Sequence, residues 1–472
     1  MWRLFRIFTY VTSSTRISEK IDISSEIETR FNEYFIRKML IFKTMTGNCF
    51  DKALFYLKGL YSTEKSNRNI EKMTDGYSSK DYFKIQHFIS ESPWSARMAI
   101  NDAAKDVNLI FAGNSKVALV IDESSEEKKG TESVGVGHQY CGNLGKTCNS
   151  QVAVFAALVS DSMASIIDTR LYLPKSWTDD PLRCKKAGIP KEDQVFKTKT
   201  ELAFEIIEHQ MKSGIRFDWI NADGLYGNDM VLLSKINDLN LVYVIDIHSN
   251  KSIFLEEFEI VPKERTSNRG RVPFKDAPNK KSITANKFIE SLADSAWEKV
   301  FLRNGTKGKL KVEAISKQVY IYDEENQKCV PNILIVSRKW CSNNTYEYKY
   351  AFSNATLGKF STEELAYMQC HRFWIENSFR EAKQSLGMTD YQVRGWLAWH
   401  HHMALTFMAM SFALNEKIKH KEQYPLLTIS DIRIILIHKF AKTSVRKLPV
   451  MKQIELRHEI RKKDIENRNR DS

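Results

Sequence analysis

The order of strand-like and helix-like segments between residues 117 and 249 restricts this chain to few folds. Three β-branched runs come first: VALVIDES, QVAVFAALVSD and SMASIIDTRLYLP. An amphipathic helix, KTELAFEIIEHQMKSG, follows and ends at Gly214. The strand-like FDWINAD, the helical NDMVLLSKIND and the strand-like LVYVIDIHS then complete the series. The pattern therefore reads strand, strand, strand, helix, strand, helix, strand.

That order is the order of a ribonuclease H-like α/β core, a mixed sheet flanked by helices. The remaining segments predict an N-terminal helical domain that binds DNA and a β-rich insertion domain with strands near 307–323, 330–340 and 345–354. A long apolar helix is expected at about 395–419. The expected divisions are 1–110 (N-terminal helical), 111–250 (core, first part), 251–362 (β-rich insertion), 363–420 (core, second part) and 421–472 (basic helical tail).

The charge balance indicates a polyanionic partner. Lysine and arginine number 71 against 58 acidic residues, which gives a net charge of +13 and a pI of about 9.1. An excess of this size favours nucleic acid, although a surface adapted for solubility has the same sign. The seven cysteines include no CxxC pair, so we expect reduced thiols and no zinc site. No secretory signal or membrane span is expected, since the longest apolar run, 403–414, is too short to span a bilayer.

The segment RFWIENSFREAK, 372–383, places one acid between two cations. On an ideal helix Glu376 lies about 40° from Arg372 and about 20° from Lys383. An apolar stripe lies about a quarter turn away and consists of Ile375, Phe379, Ala382 and Leu386. Ordinary ion pairs on an amphipathic helix would give the same spacing.

Two further acids are expected to meet that helix. Asp122 ends the first predicted strand and Asp223 ends the fourth, and these strands are neighbours in a ribonuclease H-like sheet. Clustered carboxylates repel one another unless cations lie between them, and hard divalent ions, Mg²⁺ or Mn²⁺, suit oxygen ligands. Two such ions could serve phosphodiester chemistry. A single acid at a strand end is more often a cap or turn residue, and we rank Asp246 below Asp223 on that ground.

Several blocks together resemble the DDE-superfamily transposases of bacterial insertion sequences, in the group with a β-rich insertion before the catalytic Glu. The blocks cover roughly residues 50–415: YLKGLYS, QHFISESPW, VIDES, SVGVGHQYCGNLGKTCNSQVAV, RLYLPKSWTDD, ADGLYGND and the Glu376 helix. The Arg-x3-Glu-x6-Lys signature is met by Arg372, Glu376 and Lys383. The family's Tyr two or three residues before the Arg is replaced here, and Tyr367, five residues before it, is the candidate substitute.

The resemblance implies that Asp122, Asp223 and Glu376 form a catalytic, metal-binding triad for Mg²⁺-dependent cleavage at element ends and strand transfer into target DNA. It implies double-stranded DNA as partner, a homodimer on paired ends, and a cytoplasmic, nucleoid-associated location in a bacterium. Arg372, Lys383, Tyr367 and Lys146 are the candidate DNA contacts; Lys146 lies in a Gly-rich hairpin whose plainer interpretation is a turn. An inactive DNA-binding derivative and a nuclease without joining activity stay open as alternatives.

Overall fold

A computed structural model describes residue 23 and residues 26–442, apart from positions 46, 65, 115, 263–275, 306–307, 342–343 and 357. Most of the predicted basic tail, most of residues 1–25 and residues 263–275 of the predicted insertion lie outside the described residues. The first helices and strands are α1 (Ile27–Ile36), β1 (Lys43–Thr44), β2 (Gly47–Asn48), α2 (Phe50–Ser62), α3 (Ile70–Met73), α4 (Ser79–Ser90) and α5 (Ala96–Ile110).

The N-terminal region is helical, as predicted, with one exception. Residues 34–45 have helical spacing, but α1 ends at Ile36, and the short hairpin β1–β2 follows a single 3₁₀ turn. In this hairpin Lys43 pairs with Asn48 and Thr44 with Gly47. Helix α4 stops before Ser92-Pro93, where the residue preceding a proline disfavours helix.

The central sheet has the predicted ribonuclease H-like order. Its elements are β3 (Ala118–Glu127), β4 (Gly137–Cys141), β5 (Lys146–Ser160), β6 (Met163–Leu171), α6 (Lys175–Thr178), α7 (Pro181–Lys186), α8 (Lys199–Lys212), β7 (Trp219–Asn221), α9 (Gly224–Gly227), α10 (Met230–Asp238) and β8 (Val244–Ile247). Strand β3 pairs antiparallel with β5 and parallel with β7, and β6 pairs antiparallel with β5. A parallel bridge between Ile220 and Tyr243 places β8 beside β7. The order is therefore β6-β5-β3-β7-β8.

Helices cover both faces of this sheet, because side chains alternate between the faces along each strand. Ala118 and Val120 of β3 pack in a core with the N-terminal helices and the C-terminal part of the chain. Leu119 and Ile121 pack in a second core with α8 and α10. The fold is thus a mixed sheet between two helical layers.

The β-rich insertion continues directly from the core sheet. It contains β9 (Ser252–Ile253), β10 (Ile260–Val261), β11 (Ala277–Pro278), β12 (Ile283–Thr284), α11 (Ala285–Glu290), β13 (Glu298–Gly305), β14 (Gly308–Asp323), β15 (Lys328–Trp340) and β16 (Tyr346–Ser353). Strands β13 to β16 form an antiparallel meander, and β16 pairs antiparallel with β8. Strand β8 therefore belongs to both sheets and links the insertion to the core.

Four helices complete the described chain: α12 (Thr362–Cys370), α13 (Phe373–Leu386), α14 (Trp396–Lys419) and α15 (Ile429–Lys442). The long apolar helix at 395–419 is confirmed as α14, whose 403–414 run is buried throughout. Among the described residues, no helix combines the length and the apolar character needed to cross a lipid bilayer.

Candidate active site

Asp122 and Asp223 lie at the same edge of the sheet. Strand β7 pairs with β3 only as far as Val120, so the edge of β3 is open at Asp122. After β7 the chain turns, and Asp223 becomes the N-cap of α9, where its Oδ1 accepts a hydrogen bond from the Leu225 N–H at 2.9 Å. An acid at an N-cap is favoured because it accepts from free backbone N–H groups. The expected proximity of these two carboxylates follows from the parallel pairing of their strands.

A third carboxylate, Glu123, lies beside them. One oxygen from each of Asp122, Glu123 and Asp223 lies within 4.8 Å of the others. Glu123 accepts hydrogen bonds from the Tyr226 hydroxyl at 3.0 Å and from the Lys199 amine at 2.9 Å. Glu123 was not among the residues selected from the sequence. The available signal was its position directly after Asp122 within β3.

Arg372 connects the acids of three elements. Its guanidinium contacts Asp122 of β3 at 3.2 Å, Asp246 of β8 at 3.0 Å and Glu376 of α13 at 2.9 Å. Glu376 is half exposed, one turn after Arg372 at the start of α13, and its side chain extends toward the same guanidinium. The predicted spacing of Arg372 and Glu376 on one helical stripe is therefore present.

Asp246 is closer to the acids than the sequence analysis suggested. Besides Arg372, its carboxylate accepts a hydrogen bond from the buried Gln369 side chain at 3.2 Å. Asp246 lies on β8, and its backbone N–H donates to the carbonyl of Ala222, the residue before Asp223, at 3.0 Å. It is therefore at the same end of the sheet as Asp223. The strand-end position of Asp246 was visible in the sequence, but its neighbours were not.

The other candidate DNA contacts spread outward from the acids. The Lys383 amine donates to the Ser125 carbonyl at 3.4 Å, further along β3. The Tyr367 hydroxyl donates to Asp161 at 3.3 Å, in the turn between β5 and β6. Lys146 is exposed at the first residue of β5, in a β4–β5 hairpin. Of the four candidate DNA contacts, only Arg372 thus contacts the acids in the described structure. Lys383, Tyr367 and Lys146 lie further out.

Burial raises the pKa values of the clustered carboxyls. The pKa of Asp122 rises to about 8, chiefly because of burial; Arg372 lowers it, and Asp223 and Glu123 raise it further. Burial also raises the pKa of Asp223 and of Asp246. At these three carboxyls, burial outweighs the lowering effect of Arg372, so their charged forms are disfavoured in the absence of a bound cation.

The donor set fits a divalent cation. Asp122, Glu123 and Asp223 offer only carboxylate oxygens, the hard ligands that Mg²⁺ and Mn²⁺ prefer, and no thiol or imidazole joins the cluster. The histidines of α14 do not belong to this donor set. His401 is buried and hydrogen-bonded to the carbonyls of Ile89 and Trp94. His402 is buried and hydrogen-bonded to the Tyr56 hydroxyl and the Gly387 carbonyl.

A comparison with known families decides the classification. A family model described as DDE superfamily endonuclease matches residues 43–309, more than half of the chain. The chain belongs to this family. The matched range contains Asp122, Glu123 and Asp223 and ends before Glu376.

A curated relative supports the same classification. The "Probable transposase for insertion sequence element IS701" of Microchaete diplosiphon is 26% identical over 313 residues, 66% of this chain and 68% of the relative. The resemblance to insertion-sequence transposases is therefore confirmed.

Two solved structures are distant. A cryo-EM structure of a piggyBac transposase synaptic complex with hairpin DNA gives a TM-score of 0.37 at 11% identity, over 93% of this chain and 82% of that one. The NurA nuclease from Sulfolobus solfataricus gives a TM-score of 0.27 at 9% identity, over 63% of this chain and 91% of that one. These scores are too low to support an inference about this protein.

Proposed function

We propose that this protein is a DNA transposase that cuts double-stranded DNA at the ends of an insertion sequence and joins the freed ends to target DNA. Asp122, Asp223 and Glu376 are the proposed catalytic, metal-binding triad, and Mg²⁺ or Mn²⁺, as two ions, the proposed cofactor. The observation that carries the proposal is the single guanidinium of Arg372, which contacts both Asp122 and Glu376 although these are 254 positions apart in the sequence.

Each residue has a defined task in this proposal. Divalent ions bound there would activate a water or a 3′-hydroxyl and stabilise the oxygen that leaves the phosphodiester. Asp122 and Asp223 hold their carboxylates on β3 and at the α9 N-cap, and Glu376, half exposed and paired with Arg372, would complete the site from α13. Arg372 and Lys383 remain near the acids to contact phosphates, with Tyr367 and Lys146 as outer DNA contacts.

The proposed oligomeric state and cellular location follow from the resemblance to insertion-sequence transposases. A homodimer would hold two element ends together, and the enzyme would act in the bacterial cytoplasm on nucleoid DNA. The net charge of +13 favours such a polyanionic substrate. The N-terminal helices are the proposed DNA-binding region.

The test replaces each proposed acid in turn. Asp122→Ala, Asp223→Ala and Glu376→Ala are each expected to reduce Mg²⁺-dependent cleavage of labelled end DNA by at least about a thousandfold, because each removes a charge that the reaction needs. Binding to the same DNA, measured by gel shift, is expected to change little. The substrate is DNA carrying the sequences that flank the gene. Mg²⁺-dependent cutting that survives any one substitution would exclude that residue from the triad.

The family description favours one alternative, an endonuclease that cleaves without joining. The same reaction separates the two functions when unlabelled target DNA is present. Labelled ends joined to the target support the transposase, whereas cut ends that stay unjoined support the endonuclease. An inactive DNA-binding derivative would yield neither product.

A further inference from the structure

Glu123 is held by two donors that belong to neither the proposed triad nor its helix. Lys199, the first residue of α8, contacts Oε1 at 2.9 Å, and Tyr226 of α9 donates to Oε2 at 3.0 Å. Both oxygens of the carboxylate are therefore oriented from separate elements. A carboxylate has about four lone-pair sites, so each oxygen can accept a further ligand.

Tyr226 ties this carboxylate to the turn that carries Asp223. Its phenol is fully buried, and its backbone N–H donates to the Asp223 carbonyl at 3.1 Å. One residue thus links the α9 turn to β3 through a backbone bond at one end and a side-chain bond at the other. The relative position of Glu123 and Asp223 depends on that link.

The charges of the cluster do not cancel. Asp122 is paired with Arg372, and Glu123 is paired with Lys199. Within the described parts of the chain, Asp223 forms no ion pair of its own. Three carboxylates against two cations leave an excess of negative charge where the oxygens lie within 4.8 Å of one another. Such a cluster attracts a cation, and a divalent ion would compete with the amine for the Glu123 carboxylate.

We propose that Glu123 is a further ligand of the divalent ion held by Asp122 and Asp223, and that Lys199 occupies this carboxylate until the ion displaces it. This inference rests on the proposed function, since it adds a residue to the same metal site. Lys199 is then a built-in competitor of the ion, and Tyr226 is a positioning residue that keeps Glu123 within reach. The site would have four acids, with Glu376 closing it from α13.

The test measures Mn²⁺ binding to the full-length protein without DNA, by calorimetry and by the electron paramagnetic resonance signal of free Mn²⁺. Glu123→Gln is expected to weaken Mn²⁺ affinity by at least about tenfold. Lys199→Met is expected to tighten it by about twofold to fivefold, because a half-buried ion pair that competes with the metal is lost. Circular dichroism confirms that each variant is folded.

A neighbouring ion pair provides the control. Lys197, two residues before α8, and Glu205 of α8 form an ion pair of 2.7 Å that is somewhat more exposed than the Lys199–Glu123 pair. Glu205→Gln and Lys197→Met are expected to leave Mn²⁺ affinity unchanged, so a general effect of losing charge on α8 would be recognised. Tyr226→Phe keeps the ring and removes the hydroxyl, and its affinity is expected to fall between those of the wild type and Glu123→Gln.

The outcomes separate this inference from the proposed function. If Asp122→Asn binds Mn²⁺ as tightly as the wild type, the proposed metal site itself is wrong. If Asp122→Asn weakens binding but Glu123→Gln does not, only the role of Glu123 is overturned. If Lys199→Met weakens Mn²⁺ affinity, Lys199 supports the carboxylate and does not compete for it, and that part of the proposal fails.

Discussion

Arg372 carries one positive charge and contacts three carboxylates, those of Asp122, Asp246 and Glu376. A guanidinium has five N–H donors in a planar fork, so it can serve several acceptors at once, which an ammonium cannot do in the same geometry. In the proposed active form, divalent ions would take over part of this neutralisation. The side chain would then be released to contact phosphate.

Asp122 gives the metal-free protein a specific dependence on pH. Its pKa in the folded state is about 8, against an ordinary value of 3.8, so the folded state binds the proton more tightly than the unfolded state. The free energy of folding that proton binding at Asp122 contributes is therefore fully present below about pH 4 and is lost as the pH rises toward 8. The variant Asp122→Asn carries no titrating proton there. In EDTA at pH 8, it is expected to be more stable than the wild type by roughly 2 kcal/mol.

Urea unfolding at pH 5 and pH 8 measures this difference. The gap between Asp122→Asn and the wild type should be larger at pH 8 than at pH 5, and Mg²⁺ should reduce it by stabilising the wild type only. Equal gaps at the two pH values would contradict the raised pKa. Asp218→Asn, at an exposed acid near the start of β7, serves as the control.

At the scale of elements, the contact between α9 and β8 decides where Asp223 lies. Gly227 ends α9, and a Cβ added there would lie 2.0 Å from the Asp246 carbonyl oxygen and 2.8 Å from the Ile245 side chain. A backbone oxygen cannot move aside without shifting the strand. The absence of a side chain at Gly227 therefore lets the Asp223 turn pack directly on β8.

Gly227→Ala is expected to destabilise the protein by about 1–3 kcal/mol and to weaken Mn²⁺ binding, since overpacking would push the α9 turn away from β8. Gly142→Ala is the control, because nothing lies within 4 Å of a Cβ at Gly142. Thermal unfolding and Mn²⁺ titration give the two quantities. Wild-type stability and affinity in Gly227→Ala would show that the turn can adapt.

At the scale of the whole molecule, the N-terminal helices and the catalytic core share one hydrophobic interior. The same cluster of buried residues runs from Ile27 of α1 through β3 and β5 to α14 and α15. A buried ion pair reinforces it: Arg30 of α1 contacts Glu416 of α14 at 2.7 Å, and the Glu416 side chain is 0% exposed. We therefore expect these parts to unfold together.

Arg30→Met is expected to cost about 3–5 kcal/mol, because it leaves the Glu416 carboxylate buried with only His420, at 3.6 Å, beside it. The double variant Arg30→Met/Glu416→Met should recover most of this loss. Lys58→Met, at a partly exposed pair with Glu28, should cost at most about 1 kcal/mol. Urea unfolding followed by tryptophan fluorescence and circular dichroism should show one transition. Two separate transitions would indicate an N-terminal domain that folds independently.

Much of the architecture was readable from local patterns. Period-2 runs of β-branched residues predicted β3, β5, β6, β7 and β8, and their order predicted the ribonuclease H-like sheet, which the structure confirms. The 3.6-residue period predicted α8 and α13, because a helix on a core buries one stripe whatever it packs against. The continuous apolar run predicted α14, which is buried on all sides at 403–414. The hairpin at Lys43–Asn48 was missed, since a short helical period was ended by a turn.

The candidate site, like the fold, was predicted from the sequence only where local patterns were sufficient. The sequence by itself determined that Asp122 and Asp223 lie on or just after neighbouring strands and that Arg372 precedes Glu376 by one turn, because strand and helix geometry are local. The predicted end of the first strand at Asp122 is wrong, since β3 continues to Glu127. Only the tertiary structure decided that Glu123 joins them and that Asp246 faces Arg372. Their partners Lys199, Tyr226 and Gln369 come from distant segments, and contacts between distant segments depend on packing, which no local period encodes.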